Sequence, residues 1–120
     1  AGYDLVCFGS GIYSDAPHPD LVKLAEASPV VKGTGAIVFS TMGAPMGGEA
    51  GREYASKCHA SLKSILTDKG YRVLGEFSNV GWNTNSFLKL VGGMHKGRPN
   101  EGDLARAREL AIGVRRQVER

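Results

Sequence analysis

Cysteine is scarce: Cys7 and Cys58 are the two in 120 residues. Two cannot staple a small secreted fold, and both lie inside apolar patterns, so buried free thiols in a reducing, cytoplasmic compartment are expected. No apolar run nears the roughly 20 residues that cross a bilayer, so no transmembrane segment is expected. The start, Ala1-Gly2-Tyr3-Asp4, lacks the cationic lead and long apolar stretch of a signal peptide. Histidine is also sparse: His18, His59 and His95 share no metal-ligand spacing with each other or with the cysteines, and no metal site is expected. Charge of one sign is lacking as well, since fifteen Lys and Arg against twelve Asp and Glu leave only +3. Arg98, Arg106, Arg108, Arg115, Arg116 and Arg120 crowd the last quarter. No recognisable nucleic-acid module accompanies them, and they fall on the solvent side of a terminal helix whose last turns favour cations. No nucleic-acid partner follows from them.

What is present is an apolar fraction of 42% and a large supply of glycine, 17 residues, on a chain the size of one domain. Leu5-Val6-Cys7-Phe8 and Ala36-Ile37-Val38-Phe39 are continuous apolar runs, as expected of strands covered on both faces of a parallel sheet. Arg72-Val73-Leu74-Gly75-Glu76-Phe77 alternates more, which suits a strand near an edge. A helix is expected from His18-Pro19-Asp20 to Ser28-Pro29, with Leu21, Val22, Leu24 and Ala25 as its apolar stripe. A second runs from about Glu49 to Lys69 on Ala50, Tyr54, Cys58, Leu62, Ile65 and Leu66, with Gly70 as its left-handed stop. Asn100 and Asp103 cap a third, striped by Leu104, Ala107, Leu110, Ala111, Val114 and Val118. The order β-α-β-α-β-α defines an α/β domain. Its first strand is apolar enough for a sheet centre yet has nothing before it to pair with, and such an edge invites association.

The glycines gather after each strand, where open α/β sheets bind ligands. These stretches are Gly9 to Ser14, Ser40 to Gly48, and Ser78 to Asn85. Bare backbone, hydroxyls and amides supply close approach and directional hydrogen bonds, and Tyr13 and Trp82 add flat surfaces for a ring system. Sharper motifs fail. Ser14 stands where a dinucleotide fingerprint needs its third glycine, and Glu49-Ala50 replaces the Lys-Ser/Thr of a phosphate loop. No Gly-x-Ser-x-Gly elbow surrounds Ser10. Cys58 and His59 point about 100° apart on one helix, which suits a core thiol and a partly exposed imidazole rather than an activated nucleophile. No catalytic acid, base or nucleophile is assigned.

Tyr3 to Tyr13 resembles the third strand and following loop of the flavodoxin family. The likeness continues through Ala36 to Thr41, the long helix, Gly70 to Phe77, and Gly92-Gly93-Met94-His95-Lys96-Gly97-Arg98-Pro99-Asn100, which is similar to one bacterial flavodoxin-like branch. The resemblance covers essentially all of residues 1–120. It implies a doubly wound parallel sheet of order 2-1-3-4-5 binding FMN at its carboxyl ends. This chain would supply strands 3, 4 and 5, without the two preceding βα units and their phosphate-cradling turn. It further implies that Ser10, Gly11, Ile12 and Tyr13 touch the isoalloxazine ring, with Tyr13 stacking. Ser40, Thr41, Met42 and Gly43 would face its pyrimidine side, with Trp82 and Asn83 at its edge. The implied function is electron transfer with a redox partner protein or an NAD(P)H-linked reductase. Two alternatives stay open: a flavin-dependent reductase or oxidase of the quinone-reductase or protoporphyrinogen-oxidase type, or a cofactor-free interaction domain. The segment 86–99 is left as either a short strand or a packed loop.

Overall fold

A computed structural model of the protein describes residues 2–43, 48–80 and 100–119. In chain order the elements are β1 (Leu5–Tyr13), β2 (Ala16–Pro17), α1 (Pro19–Ala27), β3 (Gly35–Met42), α2 (Gly48–Asp68), β4 (Arg72–Val80) and α3 (Glu101–Val118). The three long strands are parallel, and the sheet order is β2-β1-β3-β4, with β2 antiparallel to the end of β1. The chain is thus a mixed α/β fold with a mostly parallel four-stranded sheet, compatible with an incomplete flavodoxin-like sheet.

Both crossovers step the same way, from β1 to β3 to β4, so right-handed connections put α1 and α2 on one face. That face holds the core of Phe8, Ala25, Ala36, Val38, Leu62, Leu66 and Tyr71, with Phe8 and Tyr71 meeting edge to face at 5.5 Å. Helix α3 packs against β4 from the opposite face, where Leu110 lies beside Gly75 and Arg106 reaches Asn79.

The helix ends follow their chemistry. His18 caps α1, its Nδ1 accepting from the Asp20 amide with Pro19 in the first turn. Asn100 and Asp103 form a reciprocal capping box on α3. After α2, Gly70 takes φ +95, and the Tyr71 and Gly70 amides donate to the Leu66 and Thr67 carbonyls at 3.0 Å each. This is the paired closure of a left-handed helix stop. Not every expected stripe residue turns inward: Leu24 and Leu104 are exposed, as are Ala50 and Ala111. On α2 the inward positions are Gly51, Ala55 and His59 together with Cys58, Leu62 and Leu66.

Three expectations need correction. The stretches Gly9 to Tyr13, Ser40 to Met42 and Ser78 to Val80 are strand, not loop. Glycine is tolerated in β1 because the Phe39 ring covers Gly9 and the Tyr13 ring covers Gly11, space a Cβ would otherwise fill. Cys7 is exposed while Cys58 is buried, because alternation turns Cys7 away from the α1/α2 face that Phe8 enters. His59, expected to be partly exposed, is only 1% exposed.

Candidate functional site

The carboxyl ends of β1 and β3 carry most of the expected ring-binding residues, and the pleat divides them. Gly11 is the register partner of Thr41, so Gly11, Tyr13 and Thr41 share the α3-side face. Tyr13 is 57% exposed there, its ring edge-on to His18 at 5.3 Å, and Thr41 and Gly43 are exposed too. Ser10, Ile12, Ser40 and Met42 face the other way. The Ser10 hydroxyl donates to the Gly11 carbonyl at 2.7 Å and accepts from the His18 amide at 3.1 Å. Ile12 packs with Met42, Tyr54 and Ala55. Trp82, Asn83 and the segment 86–99 lie outside the described residues. The fold therefore brings Tyr13, Gly11, Thr41 and Gly43 to one exposed crest, and turns the side chains of Ser10, Ile12, Ser40 and Met42 inward.

A tight turn supports that crest. Ser14 and Asp15 join β1 to β2 with φ +51 and +62, the pair of positive values that a two-residue hairpin requires. Neither residue is glycine, so the turn carries local strain. Tyr54 on α2 fastens it by donating its hydroxyl to Asp15 at 2.5 Å. That bond, together with burial and the neighbouring Cys58, raises the Tyr54 pKa above its usual value.

Behind the crest, on the α2 face, lies a polar cluster that sequence reasoning missed. His59 Nε2 is 2.8 Å from Ser40 Oγ, and His59 Nδ1 is 3.0 Å from Glu76 Oε2. Ser40 Oγ also meets Ser78 Oγ at 2.8 Å, and Lys63 Nζ pairs with Glu76 at 2.9 Å. Burial pushes the His59 imidazole below its usual value, outweighing the opposite pull of Glu76. Burial alone would raise the Glu76 carboxyl, but hydrogen bonds from Lys63, Ser56 and His59 hold it below the usual carboxylate range.

These states fix the direction of every bond. An ionised Glu76 only accepts, so Nδ1 carries the imidazole hydrogen; neutral Nε2 then accepts from Ser40, and Ser40 accepts from Ser78. The connectivity matches a Ser-His-acid triad. Yet Ser40 is 3% exposed and its oxygen is already engaged by Ser78, so the cluster can move protons but offers no accessible nucleophile. Lys63 and Glu76 open onto a surface recess of about 390 Å³ lined also by Thr67, Val73, Leu74 and Gly75.

The class of protein is set by these features: an α/β domain with a mostly parallel sheet and an exposed crest at its carboxyl ends. No protein-family model matches the chain, and no solved structure matches it. It is 38% identical over 112 residues to the "Uncharacterized protein MJ0298" of Methanocaldococcus jannaschii, a match that spans 93% of this chain and 69% of the relative. The chain belongs to the family of that archaeal protein. No helix among the described residues is long and apolar enough to cross a membrane.

Proposed function

We propose that this chain is a flavodoxin-like, FMN-binding electron-transfer domain. The observation that carries the reading is the crest itself. An exposed aromatic face at Tyr13 stands on the same side of the sheet as Thr41, at the strand ends where doubly wound sheets take their ligands. The arrangement of two crossover helices on one face and α3 on the other supports the same architecture.

The described residues fit the ring of such a cofactor better than its phosphate. Tyr13 supplies a stacking surface, and Thr41 and Gly43 leave room beside it. The hydroxyls of Ser10 and Ser40, by contrast, are consumed by internal bonds. Bound FMN would supply the electron-carrying chemistry, and the protein's share would be to stack, orient and exclude water from the ring. A redox partner protein or an NAD(P)H-linked reductase would exchange electrons with it.

Flavin fluorescence tests this reading. Titrating FMN against the full-length natural protein is expected to quench the emission saturably, and Tyr13→Ala is expected to weaken binding about tenfold, the effect of one lost stacking contact. Unchanged emission at protein in excess would defeat the reading.

A further inference from the structure

His18 is pinned by its backbone and by its ring. Its amide donates to Ser10 Oγ at 3.1 Å, which ties it to β1, and its carbonyl accepts from the Leu21 amide at 3.0 Å in the first turn of α1. The preceding Pro17 is the register partner of Ile12. The imidazole bends back to cap α1, with Nδ1 accepting from the Asp20 amide at 3.0 Å. A ring nitrogen that accepts from an N–H carries no hydrogen of its own, so the neutral ring holds its hydrogen on Nε2. The Asp20 carboxylate does not compete for Nδ1, since at 3.8 Å it lies outside hydrogen-bond range.

The cap therefore fixes the tautomer and turns the ring's donor away from the first turn of the helix. Nε2 makes no hydrogen bond among the described residues, and none of their buried side-chain nitrogens or oxygens lacks one, so Nε2 stands open to solvent. The side chain is 44% exposed. The same ring lies against Tyr13, with centroids 5.3 Å apart and planes at 89°, and this contact still leaves Tyr13 57% exposed. A held, unspent donor thus borders the aromatic surface of the crest. Ser10, close by, cannot take that part, because its own hydrogen goes to the Gly11 carbonyl.

We propose that His18 is a ligand-contacting residue of the crest, its Nε2–H donating to a hydrogen-bond acceptor on the edge of a planar ring stacked on Tyr13. This rests on the FMN reading above. The two side-chain rings touch, so a heterocycle broader than the phenol that stacks on Tyr13 brings its edge to His18. The edge selected is one that carries carbonyl oxygens or unprotonated ring nitrogens, as oxidised isoalloxazine does; an edge of N–H groups would set donor against donor. The imidazole stays neutral throughout, and no proton is transferred.

Two substitutions divide the cap from the donor. An asparagine oxygen takes the place of Nδ1 and keeps the cap but has nothing at the place of Nε2, whereas a glutamine amide nitrogen reaches the place of Nε2 and loses the cap. In the full-length natural protein, His18→Asn is expected to keep the melting temperature and weaken FMN binding about three- to tenfold, the worth of one hydrogen bond. His18→Gln is expected to do the opposite, melting lower while binding FMN more tightly than His18→Asn, which a purely capping histidine would not allow. Nitrogen-15 resonances of the natural protein's His18 ring at pH 8 are expected to show a bare Nδ1 and hydrogen on Nε2, with the Nε2–H proton protected from exchange once FMN is added. Hydrogen on Nδ1 would overturn the proposal. So would unweakened FMN binding by His18→Asn, or binding by His18→Gln no tighter than that of His18→Asn. If the natural protein does not bind FMN, the functional reading fails and takes this contact with it, whereas binding that ignores His18→Asn sinks the His18 contact alone.

Discussion

Replacing Gly70 by alanine isolates one contact that sets the register of the sheet. Gly70 sits at φ +95, where a side chain costs about 1–2 kcal/mol. A Cβ there would also overlap the Val31 carbonyl oxygen, which is backbone and cannot swing aside. Pushing Val31 away breaks two bonds of 2.8 Å that tie the α2–β4 turn to the segment before β3, Val31 N–H to the Lys69 carbonyl and Gly33 N–H to the Gly70 carbonyl. Each is worth about 0.5–1.5 kcal/mol net. The expected loss is therefore about 2–5 kcal/mol, or about 8–20 °C of melting temperature for a domain of this size. Gly33→Ala is the control. Its φ is +79 with nothing within 4 Å of the new Cβ, so only the torsional part, about 1–2 kcal/mol, is expected. Denaturant unfolding of both variants measures the difference, and equal losses would refute the steric argument.

Other expectations concern charge, thiols and assembly. His59 and Glu76 both sit below their usual pKa values, so the folded state binds their protons less readily than the unfolded chain. Stability should hold above about pH 6.5 and fall as acid passes first the histidine and then the carboxylate. Constant stability from pH 7 to 5 would contradict this. Cys7 is exposed and Cys58 buried, so a thiol reagent should label one site in the native protein and both in denaturant; equal native labelling would place Cys58 wrongly. The edge of β1 away from β3 has β2 beside only Ile12 and Tyr13 among the described residues. The 120-residue chain is therefore expected to self-associate through Leu5 to Gly11, and a strictly monomeric sedimentation profile over a wide concentration range would count against it.

Much of this fold was legible because its signals are local. Pro19 and Ser28 bound α1, Gly70 closes α2, the Asn100–Asp103 pair opens α3, and the apolar runs at Leu5 and Ala36 mark parallel strands, although Cys7 and Phe39 are exposed on the face expected to be covered. The strand ends were not legible, because Gly9 and Gly11 read as loop residues until the Phe39 and Tyr13 rings are seen covering them. The buried polar cluster was hidden for another reason. A bulge between Ala36 and Ile37 pairs Val73 with Ala36 but Gly75 with Ile37, leaving Leu74 extra. It reverses the alternation of β4, so that Glu76 and Ser78, not Gly75 and Phe77, face α2 with Val73. From sequence alone, His59 had no visible partner. The one available clue was that His59 falls four residues after Ala55 and three before Leu62, on the inward side of α2.

Amide chemical-shift mapping on the full-length natural protein, with FMN added, tests the functional account most directly. The account predicts saturable shifts centred on Gly11 to Tyr13 and Thr41 to Gly43, with the amides of α1 after its first turn left unmoved. Shifts confined to other surfaces, or none at all, would contradict it.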